Sequence, residues 1–403
     1  MAFRRGRTAS AGTAAIAVLA VAATGIPAAQ AAQAAQTSQT AHAAQTAQTA
    51  HAAHAARAAP AAPVMPTAQS PRWRVVKDIT APDTELEDIV ATSRHGAWAV
   101  GEASAHSPVV YRRQHGRWRA TVRQGPASSF AESVAATSAS NVWVALANEP
   151  AVDHYTGHRW TRTSFAAAQQ VLVDGVTTTG PRDAWAFTYN AGTKRETAHH
   201  FNGRRWRSET LPVAMGGGSY AAAVSSAAPS DIWAWGFDGT TSRYVTLHYN
   251  GRSWRMIRLP AHLAPPGTTI VGEQMLAESR ADAWASLYAY KGGTVGPVIL
   301  LHWNGHHWHK VTGWLPRGTL AGPIAPDGGG GLWLVTRTAA GLSYFTHYVA
   351  GMWTRIRVPA TPAGALDVTA LALIPGTRSL WASGVVDLGF GTTKGAAILK
   401  FGS

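Results

Sequence analysis

The segment APSDIWAWGFDGTTSRYVTLHYNGRSWRMIRLP, residues 228–260, decides the fold because it contains one complete set of turn and strand signals. Asp231 lies two residues before Trp233 and is typical of a turn that leads into a strand. IWAWG and YVTLHY are predicted strands, and Asn250-Gly251 is a strong hairpin-turn dipeptide. SWRMIRL is predicted to be the next strand, and an apolar stretch, AAAVSSA, precedes the turn. The unit is therefore predicted to contain four strands.

The tryptophans show that this unit is repeated along the chain. Tryptophans that follow a turn residue are 45, 42, 48, 51, 49 and 48 residues apart, and a second series follows a glycine. A period of about 40 to 50 residues is typical of propellers and solenoids. Seven units of four antiparallel strands predict an all-β, seven-bladed β-propeller. The first series is Trp98, Trp143, Trp185, Trp233, Trp284, Trp333 and Trp381, and the second is Trp73, Trp118, Trp160, Trp206, Trp254, Trp308 and Trp353.

The two ends of the predicted propeller complement each other. AAILKFGS, residues 396–403, matches a third strand and the start of its turn, whereas PRWRVVKDI, residues 71–79, matches a fourth strand. We expect the N-terminal strand to complete the last blade and close the ring, which removes an open sheet edge. The propeller is predicted to span residues 71–403, about 48 residues per blade.

The residues before the propeller have the composition of an export signal and a linker. Arg4, Arg5 and Arg7 precede an apolar run and small residues, so residues 1–31 are predicted to be a signal peptide and the protein to be secreted. Residues 32–70 use almost only Ala, Gln, Thr, His, Pro and Ser, which predicts a disordered linker. No second long apolar run indicates a membrane span. Because the chain has no cysteine, disulfides and thiolate catalysis are excluded.

The chain is strongly basic, and the charge is concentrated in the repeats. The formal net charge is +14, and removing the four arginines before residue 71 leaves 14 − 4 = +10 for the propeller. Many of the arginines lie at the G-x-x-W turns and fourth strands, where charge protects exposed edges from pairing. The alternative is attraction to an anionic cell-envelope polymer. No nucleic-acid-binding module is recognised, so a specific nucleic acid is not expected.

The histidine-rich segment LHWNGHHWHK, residues 301–310, is predicted to be structural. His302 lies two residues before the turn asparagine, where other blades also have basic residues, so we expect a hydrogen bond within the blade. His306 and His307 correspond to arginines in other turns. The alternative, a metal ion held by His306 and His309, stays open. The counterparts of His302 are His154, His200, His248, His347, Arg113 and Lys400.

Carboxylates recur eleven residues before tryptophans of the first series. Glu87, Glu132, Asp174 and Glu273 occupy this position, at the start of the predicted innermost strands, and we expect them to converge on the mouth of the central channel. They would bind a polar ligand or Ca²⁺, act as acids and bases, or accept hydrogen bonds from the neighbouring blade. The other three blades have Ala222, Gly322 and Ala370.

Loops at the same face contain aromatic and polar residues that are expected to be exposed. Such residues suit the recognition of sugars, because an aromatic ring stacks on the face of a pyranose. The candidates for ligand binding are Tyr189, Tyr288, Tyr290, Phe237, Asp238 and Arg195.

The repeats D-x-W-A-x-G and H-Y-N-G-x-x-W resemble those of secreted actinobacterial seven-bladed propeller proteins. They are distantly similar to kelch and galactose-oxidase propellers and to propeller lectins. The resemblance implies a fold and no catalytic residue, because the cysteine that galactose oxidase links to a tyrosine is absent.

We therefore expect a monomeric, lectin-like recognition protein, not an enzyme, which binds an extracellular glycan or cell-envelope polymer at the channel mouth. It would need no cofactor, although Ca²⁺ is possible. The alternatives are a polysaccharide lyase or hydrolase that uses the channel-mouth carboxylates, and a scaffold in a secreted assembly.

Overall fold

The computed structural model describes most of the predicted propeller. The described residues are 72–402 without 82, 104–106, 123–129, 148, 166–170, 191–192, 194, 213–223, 239–240, 242, 265, 292–293, 312–318, 339–340 and 388–392. The predicted signal peptide, residues 1–31, and the predicted linker, residues 32–70, lie outside the described residues. Within these residues, no helix has the length and apolar character needed to cross a membrane.

The described residues form seven antiparallel sheets of four strands, which we number as blades 1 to 7 along the chain. Blade 1 contains β2 Glu85–Ala91, β3 Ala97–Ala103, β4 Ser107–Gln114 and β5 Arg117–Val122. Blade 2 contains β6 Phe130–Ser138, β7 Asn141–Ala147, β8 Ala151–Tyr155 and β9 Trp160–Ser164. Blade 3 contains β10 Val171–Gly180, β11 Asp183–Asn190, β12 Arg195–Phe201 and β13 Trp206–Glu209.

The other four blades repeat this order. Blade 4 contains β14 Val224–Ala228, β15 Asp231–Asp238, β16 Arg243–Tyr249 and β17 Trp254–Arg258. Blade 5 contains β18 Thr269–Ser279, β19 Asp282–Lys291, β20 Thr294–Trp303 and β21 Trp308–Lys310. Blade 6 contains β22 Thr319–Pro326, β23 Leu332–Thr338, β24 Ser343–Val349 and β25 Met352–Arg357. Blade 7 contains β26 Asp367–Leu373, β27 Leu380–Asp387, β28 Thr393–Phe401 and β1 Trp73–Ile79.

The first strands of the blades form the inner wall of a closed ring. Strand β2 contacts β6 and β26, and the same neighbour-to-neighbour contacts continue through β10, β14, β18 and β22. This arrangement confirms the prediction of an all-β, seven-bladed propeller with four antiparallel strands per blade.

The ring is closed by the N-terminal strand, as predicted. Strand β1 pairs with β28 from Trp73 opposite Phe401 to Ile79 opposite Ala396. The Trp73 ring stacks on Phe345 of blade 6 at a centroid distance of 3.7 Å, so closure also buries an aromatic contact between blades.

The two tryptophan series meet at the interfaces between blades. Trp254 on the fourth strand of blade 4 packs edge-on against Trp185 on the second strand of blade 3, with centroids 5.3 Å apart. Trp353 packs against the cluster that contains Trp284. The repeat period therefore follows from one recurring interface contact. Five further edge-on pairs are Trp118–Trp381, Trp160–Trp98, Trp206–Trp143, Trp308–Trp233 and Trp73–Trp333.

The histidines of the third strands hold the second strands, which confirms their predicted structural role. His248 stacks on Trp233 at 4.1 Å, and its Nε2 is 2.7 Å from Asp231 Oδ1. Trp233 Nε1 donates to the same oxygen at 3.0 Å. The other members of the set are His302 with Asp282, His200 with Asp183, His347 with Asp327 and His154 with Asn141.

Blade 1 requires a correction to this alignment. Arg112, and not Arg113, lies opposite Trp98 and places its guanidinium 4.7 Å from the indole ring. Counting from the turn fails in this blade because only one residue separates Gly116 from Trp118, whereas most other blades have two.

Candidate functional site

The predicted carboxylates occupy irregular positions in the inner strands. The pairing of β2 with β3 shifts between Leu86 and Asp88, so Glu87 forms a β-bulge. Glu132, Asp174 and Glu273 lie at the same kind of shift in β6, β10 and β18. Because a bulge redirects a side chain and is common beside functional sites, this repeated irregularity marks the position as special.

The count of eleven residues misplaces the equivalent position in blade 7. Trp381 pairs with Ala372, nine residues earlier, whereas Trp98 pairs with Val90, eight residues earlier. The bulged residue of β26 is therefore Thr369 rather than Ala370, because the turn before β27 contains one more residue. Ala222 of blade 4 lies outside the described residues.

A cavity of about 340 Å³ lies where the seven first strands converge. Its lining includes Glu87, Glu132 and Asp174, from three consecutive blades. Glu273 is not part of the lining, although its neighbour Gln274 is. Three of the four predicted carboxylates are thus brought together, and the fourth is not.

The carboxyl groups of this cavity repel one another in a partly enclosed space. Burial raises the pKa of Glu87 to about 8, with smaller contributions from Glu85, Glu102 and Asp88. The pKa of Glu132 is raised well above its usual range. Burial is the largest cause, and the negative charges of Asp174 and Glu87 add to it. Enclosure and like charge are the two causes expected for such shifts.

Alignment of the repeats within the sequence did not identify two acidic neighbours of Glu87, which are Glu85 and Glu102. Glu85 lies two residues before Glu87, a spacing typical of one face of a strand, so the sequence did contain a signal for it. Glu102 lies directly opposite Glu85 on β3 and becomes visible only when the pairing of the two strands is known.

Asp88 accepts a hydrogen bond from the neighbouring blade. This is the structural role that the sequence analysis gave as an alternative for the four predicted carboxylates. Its Oδ2 accepts a hydrogen bond of 2.8 Å from the backbone N–H of Val134 in blade 2, and its Oδ1 accepts one from Ile89. Burial raises the pKa of Asp88 to about 6, and these hydrogen bonds oppose that shift. Asp88 therefore ties two inner strands together.

Glu273 belongs to a different group of side chains. Burial raises the pKa of Glu273 to about 8, with a contribution from Asp367 of blade 7. Asp367 in turn forms an ion pair with Arg337. The pKa of Tyr288 is raised mainly by burial, and the negative charge of Glu273 is the second cause.

The expected exposed aromatic surface is only partly present. Tyr189 and Tyr288 are each 6% exposed, so the expectation that their rings face solvent is wrong. Tyr189 lies within the second strand β11, and Tyr288 lies within the second strand β19. Tyr290 is partly exposed, and Asp238 accepts a hydrogen bond of 2.7 Å from Thr241. The side chains of Phe237 and Arg195 lie outside the described part of the structure.

The histidines of LHWNGHHWHK do not form a metal-binding cluster with other described residues. No group of three or more His, Asp or Glu side chains is placed to hold a metal ion in the described ranges. His302 is paired with Asp282, and the backbone N–H groups of His306 and His307 donate to Asn304 in the turn. Whether Ca²⁺ binds near the carboxylates stays a prediction from sequence.

Comparison with known proteins identifies the fold. No family model matches the chain, and no curated protein matches it. Solved propeller structures do match. The chain resembles a complex described as YCF48 bound to D1 peptide, with a TM-score of 0.53 and 15% identity over 82% of this chain and 97% of the other.

Two further structures give the same result. The WD40 propeller domain of Doa1 has a TM-score of 0.56 and 8% identity, over 82% of this chain and 97% of the other. An inactive virginiamycin B lyase from Staphylococcus aureus, crystallised with quinupristin, has a TM-score of 0.55 and 11% identity, over 83% and 99%. At such low identity these similarities support the propeller fold alone.

Proposed function

We propose that the protein is a secreted, monomeric recognition protein that binds an extracellular glycan at the channel end lined by Glu87, Glu132 and Asp174. The observation that carries the proposal is the convergence of these three carboxyl groups, from three blades, on one cavity of about 340 Å³. Cavities of a few hundred Å³ are the usual size of small-ligand sites. The volume suits one or two sugar units of a longer chain.

The chemistry of the lining supports a ligand rich in hydroxyl groups. Besides the carboxyl groups, the cavity presents hydroxyls from the inner strands, including Thr177 and Ser226, whose oxygens are 2.6 Å apart. Carboxylates accept hydrogen bonds from sugar hydroxyls, and protonated carboxyl groups also donate. The site therefore offers both donors and acceptors to a polyol.

The raised pKa values of Glu87 and Glu132 support a role in ligand binding rather than in stabilising the fold. Gathering Glu87 and Glu132 in a partly buried cavity costs free energy, since their ionised forms are disfavoured there. Groups with such shifts cluster at functional sites, and a bound hydroxyl group would form hydrogen bonds with these carboxyl groups.

The test is glycan binding by variants of the cavity. We expect Glu87→Ala with Glu132→Ala to weaken binding of a glycan selected from a broad array by about tenfold, because two hydrogen bonds of about 0.5–1.5 kcal/mol each are lost. Glu209→Ala, on the outer strand β13, is the matched control and should bind as the parent protein does. An array and cell-wall pull-down with no signal above background would contradict the proposal.

A second candidate function is acid–base cleavage of an extracellular polysaccharide, by a lyase or hydrolase. The observation that favours it is that Glu87 and Glu132 line one cavity and that burial raises the pKa of both. Carboxyl groups with a raised pKa are suited to act as general acids. Turnover that survives Glu87→Gln combined with Glu132→Gln would exclude this mechanism.

Calcium binding at the same carboxylates is tested separately. Ca²⁺ prefers carboxylate oxygens, so a site here would raise the melting temperature as CaCl₂ is added and would release protons. Glu132→Gln should abolish that rise. A melting temperature that is the same in CaCl₂ and in a chelator would exclude the site.

A further inference from the structure

A second, larger cavity lies where blades 6, 7 and 1 meet, and its volume is about 870 Å³. It is lined by the turns that join first to second strands, including Arg94 after β2 and Arg378 before β27. The smaller cavity is lined by the inner strands themselves, and the two cavities have no lining residue in common. We name the larger one the blade 7 cavity.

The blade 7 cavity is cationic. Four of its lining side chains are positively charged and only Asp327 is negatively charged, which leaves 4 − 1 = +3 without the histidines. The cations come from three separate segments, the turn after β2, strand β4 and blade 7. The four cations are Arg94, Arg113, Arg378 and Lys400.

The Asp327 carboxylate is already hydrogen-bonded within blade 6. Its Oδ1 accepts hydrogen bonds from the backbone N–H groups of Gly329 and Gly331 at 2.6 and 2.8 Å, and its Oδ2 is 2.9 Å from His347 Nε2. Although burial alone would raise the pKa of Asp327, these hydrogen bonds lower it. The carboxylate is therefore held inside blade 6 and does not neutralise the four cations.

Two of the cations share one indole ring. Arg113 and Lys400 lie 4.9 and 5.7 Å from the centroid of Trp381. In blades 2 to 6 the equivalent tryptophan carries a stacked histidine instead. Burial lowers the pKa of Lys400, followed by repulsion from Arg74 and Arg113. Positive charge is therefore crowded at this point, and an anion would relieve the repulsion.

Backbone contacts hold two of the guanidinium groups in place. Arg113 Nη1 donates to the carbonyl oxygen of His95 at 2.9 Å, and Arg94 Nη2 donates to that of Gly376 at 3.2 Å. A guanidinium has five N–H donors, so these contacts orient the group and leave others for a ligand. Pre-oriented donors lower the entropy cost of binding.

We propose that the blade 7 cavity binds a phosphate-bearing ligand. Cations that arrive from several directions suit a tetrahedral, multiply charged oxyanion, and arginine matches phosphate oxygens through paired N–H donors. The cavity is much larger than inorganic phosphate needs. Val349, which is exposed, and Phe401, which is partly buried, supply an apolar part of the lining for the rest of the molecule. This site shares no lining residue with the proposed glycan site.

Calorimetric titration of the full-length protein tests the proposal. The probes are pyrophosphate, glycerol 3-phosphate and a glycerol-phosphate polymer, at physiological ionic strength, where exposed charges are screened beyond about 8 Å. We expect saturable binding of one phosphate group per protein. Tight binding of glycerol 3-phosphate would identify a free phosphate ester as the ligand, and preference for the polymer would identify a phosphodiester chain.

Two variants with the same change in charge separate the cavity from the general basic character. Arg94→Gln combined with Arg378→Gln should weaken binding about tenfold or more, since two charge-assisted hydrogen bonds are lost. Both side chains are exposed, so folding should be retained. The control is Arg204→Gln with Arg205→Gln, two exposed arginines in the turn before β13, which should change affinity less than about twofold.

Three results would overturn the proposal. The first is an equal loss of affinity in the control variant, which would mean that net charge alone attracts the anion. The second is binding of a dicarboxylate as tight as that of pyrophosphate. The third is the absence of saturable binding by all three phosphate probes. The glycan-binding test uses different variants, at Glu87 and Glu132, and does not depend on these outcomes. Failure of one proposal therefore does not contradict the other.

Discussion

Asp231 shows how one buried acidic residue organises a blade. It is 2% exposed, and its Oδ1 is shared by the indole of Trp233 and the imidazole of His248. In blade 2 the same position is Asn141, whose Oδ1 makes the same two contacts at 3.1 and 2.9 Å. The acceptor oxygen, and not the charge, is therefore the required feature.

We expect Asp231→Ala to lower the free energy of unfolding by about 2–3 kcal/mol, because two buried donors lose their acceptor. Asp231→Asn is the matched control and should cost less than about 1 kcal/mol. Urea denaturation measures both values. Equal losses in the two variants would show that charge, rather than the acceptor, stabilises the blade.

Stability should fall as the pH rises, because of the channel carboxyl groups. The pKa of Glu87 is raised from 4.5 to about 8 in the folded state. Its contribution to stability is therefore fully present below about pH 4.5 and is lost as the pH rises through about 8. Glu273 acts in the same direction over the same range.

Above about pH 8 we therefore expect Glu87→Gln to raise the melting temperature by about 2 °C or more, and near pH 4.5 to leave it close to that of the parent. Calorimetry at the two pH values measures the difference. Glu209→Gln, which removes the same charge outside the channel, should show no such dependence. A gain that is equal at both pH values would contradict the assignment.

At the scale of single residues, the sequence predicted the roles of side chains that recur in several blades. It did not predict how deeply individual side chains are buried. The role of His302 could be predicted because five blades have histidine at that position. The burial of Tyr189 and Tyr288 could not, because alternation along a strand does not reveal how deeply a side chain near the strand end is packed. The same limit hid Glu102, which acts on Glu87 from a neighbouring strand.

The inner strands share a bulge that no local sequence pattern announces. Six of the seven have a register shift in their described first half, which places Glu87, Glu132, Asp174 and Glu273 at the irregular position. Counting from the tryptophans identified these residues because the turns have nearly constant length. One additional turn residue in blade 7 was enough to replace Thr369 with Ala370 in that count.

The hairpin between the third and fourth strands depends on its glycine. Gly251 has a φ of 91°, and a Cβ there would lie 2.7 Å from the Cβ of Ser230. Gly351 in blade 6 has a φ of 83° with no atom within 4 Å of such a Cβ. The two glycines therefore share the left-handed backbone and differ in the space around it.

We expect Gly351→Ala to cost about 1–2 kcal/mol of unfolding free energy from the left-handed conformation alone. Gly251→Ala should cost about 1–3 kcal/mol more, because the added methyl also displaces Ser230. Urea denaturation of the two variants measures the difference. Equal losses would show that the turn adjusts without cost.

The whole molecule is held as a ring by its two ends. Blade 7 takes three strands from the C-terminal end and one from the N-terminal end, and Trp73 packs against blade 6. The sequence predicted this closure because the units are incomplete in a complementary way. It could not predict the blade 7 cavity, since Arg94, Arg113 and Lys400 are brought together only when the ring is closed.

Removal of residues 1–79 should therefore damage the entire propeller. Without β1, blade 7 exposes the edge of β28 together with Phe345 and Trp333, so we expect a lower melting temperature, loss of a single cooperative transition and aggregation. Removal of residues 1–70 is the control and leaves β1 in place. Calorimetry and size-exclusion chromatography compare the two. An unchanged transition after loss of β1 would show that closure is dispensable.

The pairing of Trp73 with Phe401 also determines how the protein responds to mechanical force. Both residues lie at the same end of the β1–β28 pair, so tension between the two ends of the folded chain pulls across the hydrogen-bond ladder and not along it. Bonds loaded in this direction open one at a time, whereas sheared bonds resist together. A propeller pulled by its ends would therefore open the β1–β28 pair of blade 7 first.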